Sequence, residues 1–229
     1  ELLVVTSRDD TKTIELCKKL SETLPVTCHR TDVFWAKKAK FNKWAALEEG
    51  LDVIGREGWL LIIDADIAIQ KTDHPFVPRI GCIYTPIRYV KQNIVGMTQI
   101  PDQKVWGKYH PLRLREEFNG YFHLFHASDP ILGPPPWHQT NWTWAGGADT
   151  FFHRQWPDRA KVRPPFRCLH LGPCFTNWCG RATPYIDGSV DPEAKNRIEQ
   201  SKILLRARRD RKAGIHGDRY KGERIDSED

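Results

Sequence analysis

Apolar positions along the chain fall into short blocks, each closed by a turn signal. Residues 1–6 (ELLVVT) are apolar and end in Ser7-Arg8-Asp9-Asp10, which predicts a buried strand and a turn. Between residues 11 and 24, Ile14, Cys17, Leu20 and Leu24 recur at helical spacing. Asp10 or Thr11 is placed to cap that helix, and Pro25 stops it. Residues 26–29 read as a second strand. The order strand, helix, strand is the start of a βαβ unit with parallel strands. A second helix is expected over 41–54, with Trp44, Leu47, Leu51 and Ile54 on one face and Gly58 beyond its end. Trp59-Leu60-Leu61-Ile62-Ile63 is continuously apolar, as in a central strand covered on both faces, and stops at Asp64-Ala65-Asp66.

Beyond residue 70 the pattern fragments. Pro75, Pro78, Pro86, Pro101 and Pro111 cut the chain into short pieces, and residues 81–84 and 120–125 read as strands of a mixed sheet. Residues 127–148 form a long loop holding Gly133-Pro134-Pro135-Pro136 and Trp137, Trp142 and Trp144; such a loop is a lid or a binding loop. A helix opens within 147–156. Asp191-Pro192-Glu193 starts a last helix that runs to about Lys212, and residues 218–229 form a polar, fraying end. The expected fold class is α/β: one domain over 1–186 with a mixed central sheet and flanking helices, then a basic helical extension over 187–229.

The 229 residues are 40% hydrophobic and 28% charged, which excludes a disordered or collagen-like chain. The longest apolar run falls far short of the roughly 20 residues of a membrane helix, so no membrane span is expected. No basic-then-apolar leader opens the chain. The six cysteines lack the spacing of a disulfide scaffold and the chain is too large to need staples, so reduced thiols in a bacterial or phage-infected cytoplasm are expected. A net charge of +6 favours an anionic partner, and nine Trp supply flat surfaces on which sugars or bases stack. Nothing in the composition fixes the oligomeric state.

The chemistry concentrates at Asp64-Ala65-Asp66. Two carboxylates at i and i+2 leave an extended strand on one side, where they can share Mg²⁺ or Mn²⁺ with diphosphate oxygens. The carboxyl ends of strands are also where open α/β sheets bind ligands. With the first strand, the lead-in Ala39-Lys40-Phe41-Asn42-Lys43, the segment Trp144-Ala145-Gly146-Gly147-Ala148-Asp149 and the late Leu169-His170-Leu171-Gly172, the chain resembles a GT-A-type, nucleotide-sugar-dependent glycosyltransferase over residues 1–183. The resemblance implies a GT-A-like (Rossmann-like) fold with a nucleotide-binding half over 1–70 and an acceptor half over 71–186. It implies Mn²⁺ or Mg²⁺ held by Asp64, Asp66 and His170. A UDP-sugar would be held by Thr6, Arg8, Asp32, Lys40, Lys43, Asp64 and Ala65, and the acceptor by Trp144, Gly146, Gly147 and Trp178. Asp149 is the implied general base of an inverting transfer, although an Asp there also suits a helix N-cap.

The run Phe118-Asn119-Gly120-Tyr121-Phe122-His123-Leu124-Phe125-His126 and the small size resemble the phage-type, base J glucosyltransferase-like group that glycosylates hydroxymethylpyrimidines in DNA. On that resemblance the acceptor is hydroxymethylcytosine or hydroxymethyluracil, and the terminal helix would meet DNA through Arg206, Arg208 and Arg209. The same helix could equally pack on the domain with its charges in water. Two alternatives stand beside this reading. One is a glycosyltransferase acting on a glycan or protein. The other is a non-catalytic, basic nucleic-acid-binding module whose Cys168, His170, Cys174 and Cys179 hold structural zinc. The sequon Asn141-Trp142-Thr143 is incidental without a leader.

Overall fold

A computed structural model describes residues 1–73, 75–111, 120–146, 148–174, 176–184 and 187–212, with backbone alone for residues 110–111, 208–209 and 211–212. The fold is mixed α/β with mixed sheets and flanking helices. The described residues divide into two compact units: Glu1–Arg56 with Pro134–Ala148, and Glu57–Gly133 with residues 149–212.

The first unit opens with β1 (Leu2–Thr6), α1 (Thr11–Leu20) and β2 (Val26–Arg30), and β1 pairs with β2 in parallel, Leu2 opposite Val26. Asp10 is the cap of α1: its Oδ1 accepts from Thr13 N at 3.1 Å. The helix stops at Leu20 rather than 24. Ser21 Oγ donates to Lys18 O and Thr23 Oγ1 to Leu20 O, which takes carbonyls away from a further helical turn. The second helix, α2 (Lys43–Ile54), is capped by Asn42, whose Oδ1 accepts from Ala45 N at 3.0 Å. Its buried face holds Trp44, Ala45, Glu48 and Leu51. Gly50 lets it press on β1, since a Cβ there would lie 2.6 Å from Val5 Cγ2. Gly55 at φ 87° ends α2.

The second unit carries β3 (Trp59–Ile63), β4 (Ile67–Ile69), β5 (Ile83–Tyr84), β6 (Ile87–Lys91), β7 (His110–Pro111), β8 (Phe122–His126), α3 (Ala148–His153, its first residue belonging to the first unit), β9 (Lys161–Val162), β10 (Arg167–Leu171) and α4 (Ala194–Lys212). In place of one central sheet, its strands form two mixed four-stranded sheets, ordered β3-β8-β5-β9 and β4-β10-β6-β7. The run Trp59–Ile63 is not a central strand. Among the described residues β3 pairs with β8 alone, and its exposure alternates, with Trp59 and Leu61 open and Leu60 and Ile62 buried. One face of the second sheet packs Cys168 and Ile67 with Tyr121, Phe122 and Phe166; the other packs Ala68 and Leu169 on Trp106. Phe125, Phe152 and Trp156 interlock with ring centroids 5.2–5.9 Å apart, fixing α3 against β8.

Helix α4 starts at Ala194, with Asp191 Oδ1 accepting from Glu193 N just ahead of it. It docks through buried Ala194, Ser201, Leu204 and Ala207, a stripe at i, i+7, i+10 and i+13, and Ser201 Oγ donates to Thr176 O. Lys195, Lys202 and Arg206 lie on the exposed side with Glu199 and Asp210.

Candidate active site

The aspartates predicted at the end of β3 sit in a tight turn rather than on an extended strand. Ile67 N donates to Asp64 O at 3.1 Å, so Asp64-Ala65-Asp66-Ile67 carries the chain from one sheet of the second unit to the other. Strand alternation therefore does not set their side chains. Asp64 N donates to Tyr121 O at 3.0 Å, and Asp66 O accepts from Leu171 N at 2.8 Å. These two bonds fasten the turn to the beginning of β8 and the end of β10.

They also bring Asp66 to His170, with Oδ2 and Nε2 3.6 Å apart. His170 is buried, and its Nδ1 lies 3.0 Å from Gly172 O, so Nδ1–H donates there and Nε2 faces Asp66. Gly172 takes φ 101°, a turn that an L side chain resists, and its N–H donates to Lys91 O. Burial opposes the charge of His170 most strongly. The hydrogen bond with Cys174 and the Asp66 carboxylate together outweigh it and raise the ring's pKa.

Asp149, in the first turn of α3, reaches across to the same region. Its Oδ2 accepts from Gly120 N at 2.8 Å and its Oδ1 from Thr150 N at 2.9 Å. Gly120 precedes Tyr121, the residue bonded to Asp64. Asp64, Asp66, Asp149 and His170 thus belong to one bonded neighbourhood of the second unit. One turn along α3, buried His153 is held neutral, its pKa pushed down to about 4 chiefly by burial while Asp149 pulls it up.

Among the described residues no three His, Cys, Asp or Glu side chains form a metal cluster. Neither the Asp64/Asp66/His170 set nor the Cys168/His170/Cys174/Cys179 set assembles as three or more ligands among the described residues. Cys168 is buried beside Tyr121, Phe122 and Phe166, where burial pushes its thiol up to about 12, and Cys174 is the one that meets His170. No disulfide joins the six cysteines. The Asp66–His170 pair does fit a smaller role. Adjacent ligands about 2.1 Å from one octahedral ion lie roughly 3 Å apart, close to the separation here, and such ions take few protein ligands when phosphates supply the rest. A ring whose Nδ1–H is fixed by a backbone carbonyl is also the usual preparation of a ligating Nε2.

Arg88 was not anticipated from the sequence. In β6 the exposure runs opposite to apolar expectation, with Ile87 47% exposed and Arg88 8%. Arg88 is opposite Cys168 on β10, and its guanidinium lies over the Tyr121 ring at 4.2 Å. Its Nε is fully buried without an acceptor, and among the described residues no carboxylate pairs with it. A cation–π contact is worth up to about 2 kcal/mol; desolvating an ion costs several. Arg163 nearby is tied down, its Nη1 donating to Thr85 O and Pro86 O.

The remaining second-unit candidates are more open: Ala65 and Arg206 are exposed and Trp178 is half-buried. The side chains of Arg208 and Arg209, like Gly147, lie outside the described residues.

In the first unit, the predicted residues cluster at the carboxyl ends of β1 and β2. Thr6 Oγ1 donates to Asp10 Oδ2 at 2.9 Å, and Arg8 Nε pairs with Asp32 Oδ2 at 3.0 Å in the open. Lys40 is exposed with its N–H on Thr143 O, and Lys43 Nζ lies 5.0 Å from the Trp44 ring centroid. Trp144 and Gly146 are buried, so Trp144 serves the core of this unit. Residues 134–148 are held by α2. Asn42 Nδ2 donates to Thr140 O and Trp44 Nε1 to Ala145 O, and Glu48 accepts from His138 Nδ1 at 2.6 Å and from Trp137 N at 3.2 Å. Arg56 Nη2 lies 2.9 Å from the other Glu48 oxygen and the guanidinium stacks on Trp137. Burial works against the Glu48 charge, but His138 and Arg56 overcome it and lower its pKa, while burial keeps His138 neutral. The first-unit part of the segment read as a lid or a binding loop is thus bonded to α2 and its cap. A carboxylate at i+4 from Trp44 on the apolar face of a helix was the sequence signal for that clamp.

Compared with protein-family models, with curated proteins and with solved structures, the chain matches none. No helix among the described residues is long and apolar enough to cross a membrane.

Proposed function

We propose that this chain is a metal-dependent glycosyltransferase that moves a sugar from a UDP-sugar to a hydroxyl acceptor, the hydroxymethyl group of a modified pyrimidine in DNA. The observation that carries the reading is the pairing of Asp66 with His170 at 3.6 Å, within the neighbourhood that also holds Asp64 and Asp149. The sequence resemblance selects the same residues, and they are far apart in the chain.

Asp66 and His170 would hold Mn²⁺ or Mg²⁺, with Asp64 close by in the turn. Bound there, the ion neutralises charge that develops on the departing diphosphate. Asp149 is the general base. Backbone N–H groups of Gly120 and Thr150 orient its carboxylate, which takes the acceptor's hydroxyl proton. The attacking oxygen displaces UDP in one step, so the anomeric centre inverts. The same negative charge favours the positive character that grows at the sugar carbon.

The test is a screen of UDP-sugars against hydroxymethylated duplex DNA and simple glycans, with Mn²⁺ and with EDTA, read by mass. One sugar added to the duplex with Mn²⁺ alone is expected. Transfer to a glycan but not to DNA would move the acceptor to the other class. Duplex binding with no turnover of any UDP-sugar would leave a nucleic-acid-binding module and end the enzymatic reading.

A further inference from the structure

We propose that Arg88 is an oxyanion-binding residue of the second unit, and that its ligand is the diphosphate of the donor. This deepens the reading above and rests on it for the identity of the ligand; the oxyanion site itself rests on geometry alone.

Arg88 is a permanent cation, more than nine-tenths buried. An ion in that position needs a counter-ion and acceptors for its N–H groups. The fold supplies the face of Tyr121 and nothing of opposite charge among the described residues, and Nε is sealed from water with no acceptor. Neither Nη is sealed in the same way, so the fork keeps an open side. A phosphoryl group would complete it, because two of its oxygens match two N–H groups of a guanidinium side by side.

The surroundings favour an anion. Arg88 and Val90 share a sheet face with Cys168 and His170, because Arg88 is opposite Cys168, Val90 is opposite His170, and alternate residues point the same way. Both Arg88 and Arg163 act electrostatically on Tyr121 and Cys168, and Arg88 also acts on His170, so two guanidinium groups bear on one region. Asp66, a carboxylate that meets that face, pairs with His170. A diphosphate between the Asp66–His170 pair and Arg88 would then meet a cation on the side away from the metal ligands. Arg88 would steady the charge left on UDP as the sugar departs.

The test uses the full chain and its Arg88→Met and Arg88→Lys variants. Pyrophosphate and UDP binding are measured by calorimetry in EDTA, and melting temperature is followed with and without pyrophosphate. Wild type is expected to bind pyrophosphate without metal. R88M is expected to bind at least tenfold more weakly and to lose the pyrophosphate-induced rise in melting temperature. Its own melting temperature should hold or rise, because an uncompensated buried charge has gone. R88K, which keeps the charge but loses the fork, should fall between the two; this comparison stands even where R88M is poorly folded. Equal pyrophosphate affinity in wild type and R88K, or in wild type and R88M, would overturn the proposal. A lower melting temperature in R88M with unchanged binding would mark Arg88 as structural and overturn it too. If R88M instead weakens only binding to a short duplex, flattening its salt dependence by about one phosphate, the diphosphate assignment is wrong and the oxyanion is the acceptor's backbone. Pyrophosphate binding that depends on Arg88 in a protein that turns over no UDP-sugar would sustain the site and reject the glycosyltransferase.

Discussion

Asp66 and Asp149 make opposite demands on a substitution. Asp66 touches His170 across 3.6 Å with its side chain a third exposed, so the pair contributes little to folding, under about 1 kcal/mol. Asp66→Ala should therefore melt within a few degrees of wild type while losing Mn²⁺-dependent turnover; full activity would remove the metal site. Asp149 holds a backbone N–H of Gly120, and Asp149→Ala strands that donor at a cost of about 1–3 kcal/mol. Asp149→Asn keeps one acceptor oxygen, for Gly120, but turns an NH₂ toward Thr150 N and loses the basicity. It should fold with a smaller loss of stability than Asp149→Ala, with turnover reduced roughly 10²–10⁴-fold and donor affinity little changed. If N and A variants lose the same stability and N keeps its activity, Asp149 is a structural tie and the base lies elsewhere. His153 supplies a separate check on this region. Its folded pKa, about 4, lies below the ordinary 6.5, so the unfolded chain takes up a proton first as pH falls. Stability is complete above about 6.5 and declines toward 4, by at most roughly 3 kcal/mol. His138 has the same sign, and Glu48, also lowered, adds to the loss below about pH 4. A His153→Gln variant should flatten the melting-temperature profile between pH 6.5 and 4; an unchanged slope would mean His153 titrates normally.

At the scale of elements, the opening of the chain was the most legible part because its signals are local. Capping by Asp10 and the apolar blocks define β1, α1 and β2 without reference to anything distant, although α1 ends at Leu20, ahead of the Pro25 stop expected for it. Beyond residue 70 that sufficiency ends. β4, β6 and β10 are short and gain their partners from far along the chain, as when Arg167 pairs with Ile87. β6 even inverts the apolar expectation, which is why Arg88 was overlooked. For β3, an unbroken apolar run suggested two covered faces, yet Trp59 and Leu61 are open; composition there could not distinguish an edge strand from a central one. Metal-ligand candidates were legible as residue types following a strand, but their turn was not. One element-level contact gives a sharp prediction. Gly50 of α2 faces Val5 and Leu3 of β1 with no room for a Cβ, and the nearer neighbour is a methyl of the stiff β-branched Val5 rather than a flexible tip. Gly50→Ala raises helix propensity, worth up to about 1 kcal/mol, but forces α2 from β1, which costs about 1–3 kcal/mol. The net change expected is a lower denaturant midpoint with an unchanged m-value; a stabilised variant would mean α2 and β1 separate easily.

For the molecule as a whole, distant sequence segments share a unit for reasons that only side-chain geometry reveals. Residues 134–148 return to the first unit because Asn42, Trp44 and Glu48 of α2 and its cap hold their backbone. The net charge of +6 was plain from the sequence, but where it acts was not. Helix α4 buries an apolar stripe and exposes Lys195, Lys202 and Arg206 among Glu199 and Asp210, so its described outer side is mixed rather than uniformly basic. That arrangement satisfies a solvated face as well as a weak phosphate contact, and salt distinguishes them. Each phosphate neutralised contributes about −0.9 to the slope of log affinity against log salt. A DNA-acting enzyme should bind a hydroxymethylated duplex with a slope of several units, and replacing Arg206, Arg208 and Arg209 with Ser should flatten it by two to three. Turnover on a free hydroxymethyl nucleoside should be unaffected by that triple change, because the proposed chemistry is at Asp66, Asp149 and His170 and α4 would only hold the duplex. A slope near zero in wild type would instead place the acceptor among neutral glycans and leave α4 a packing element whose charges serve water.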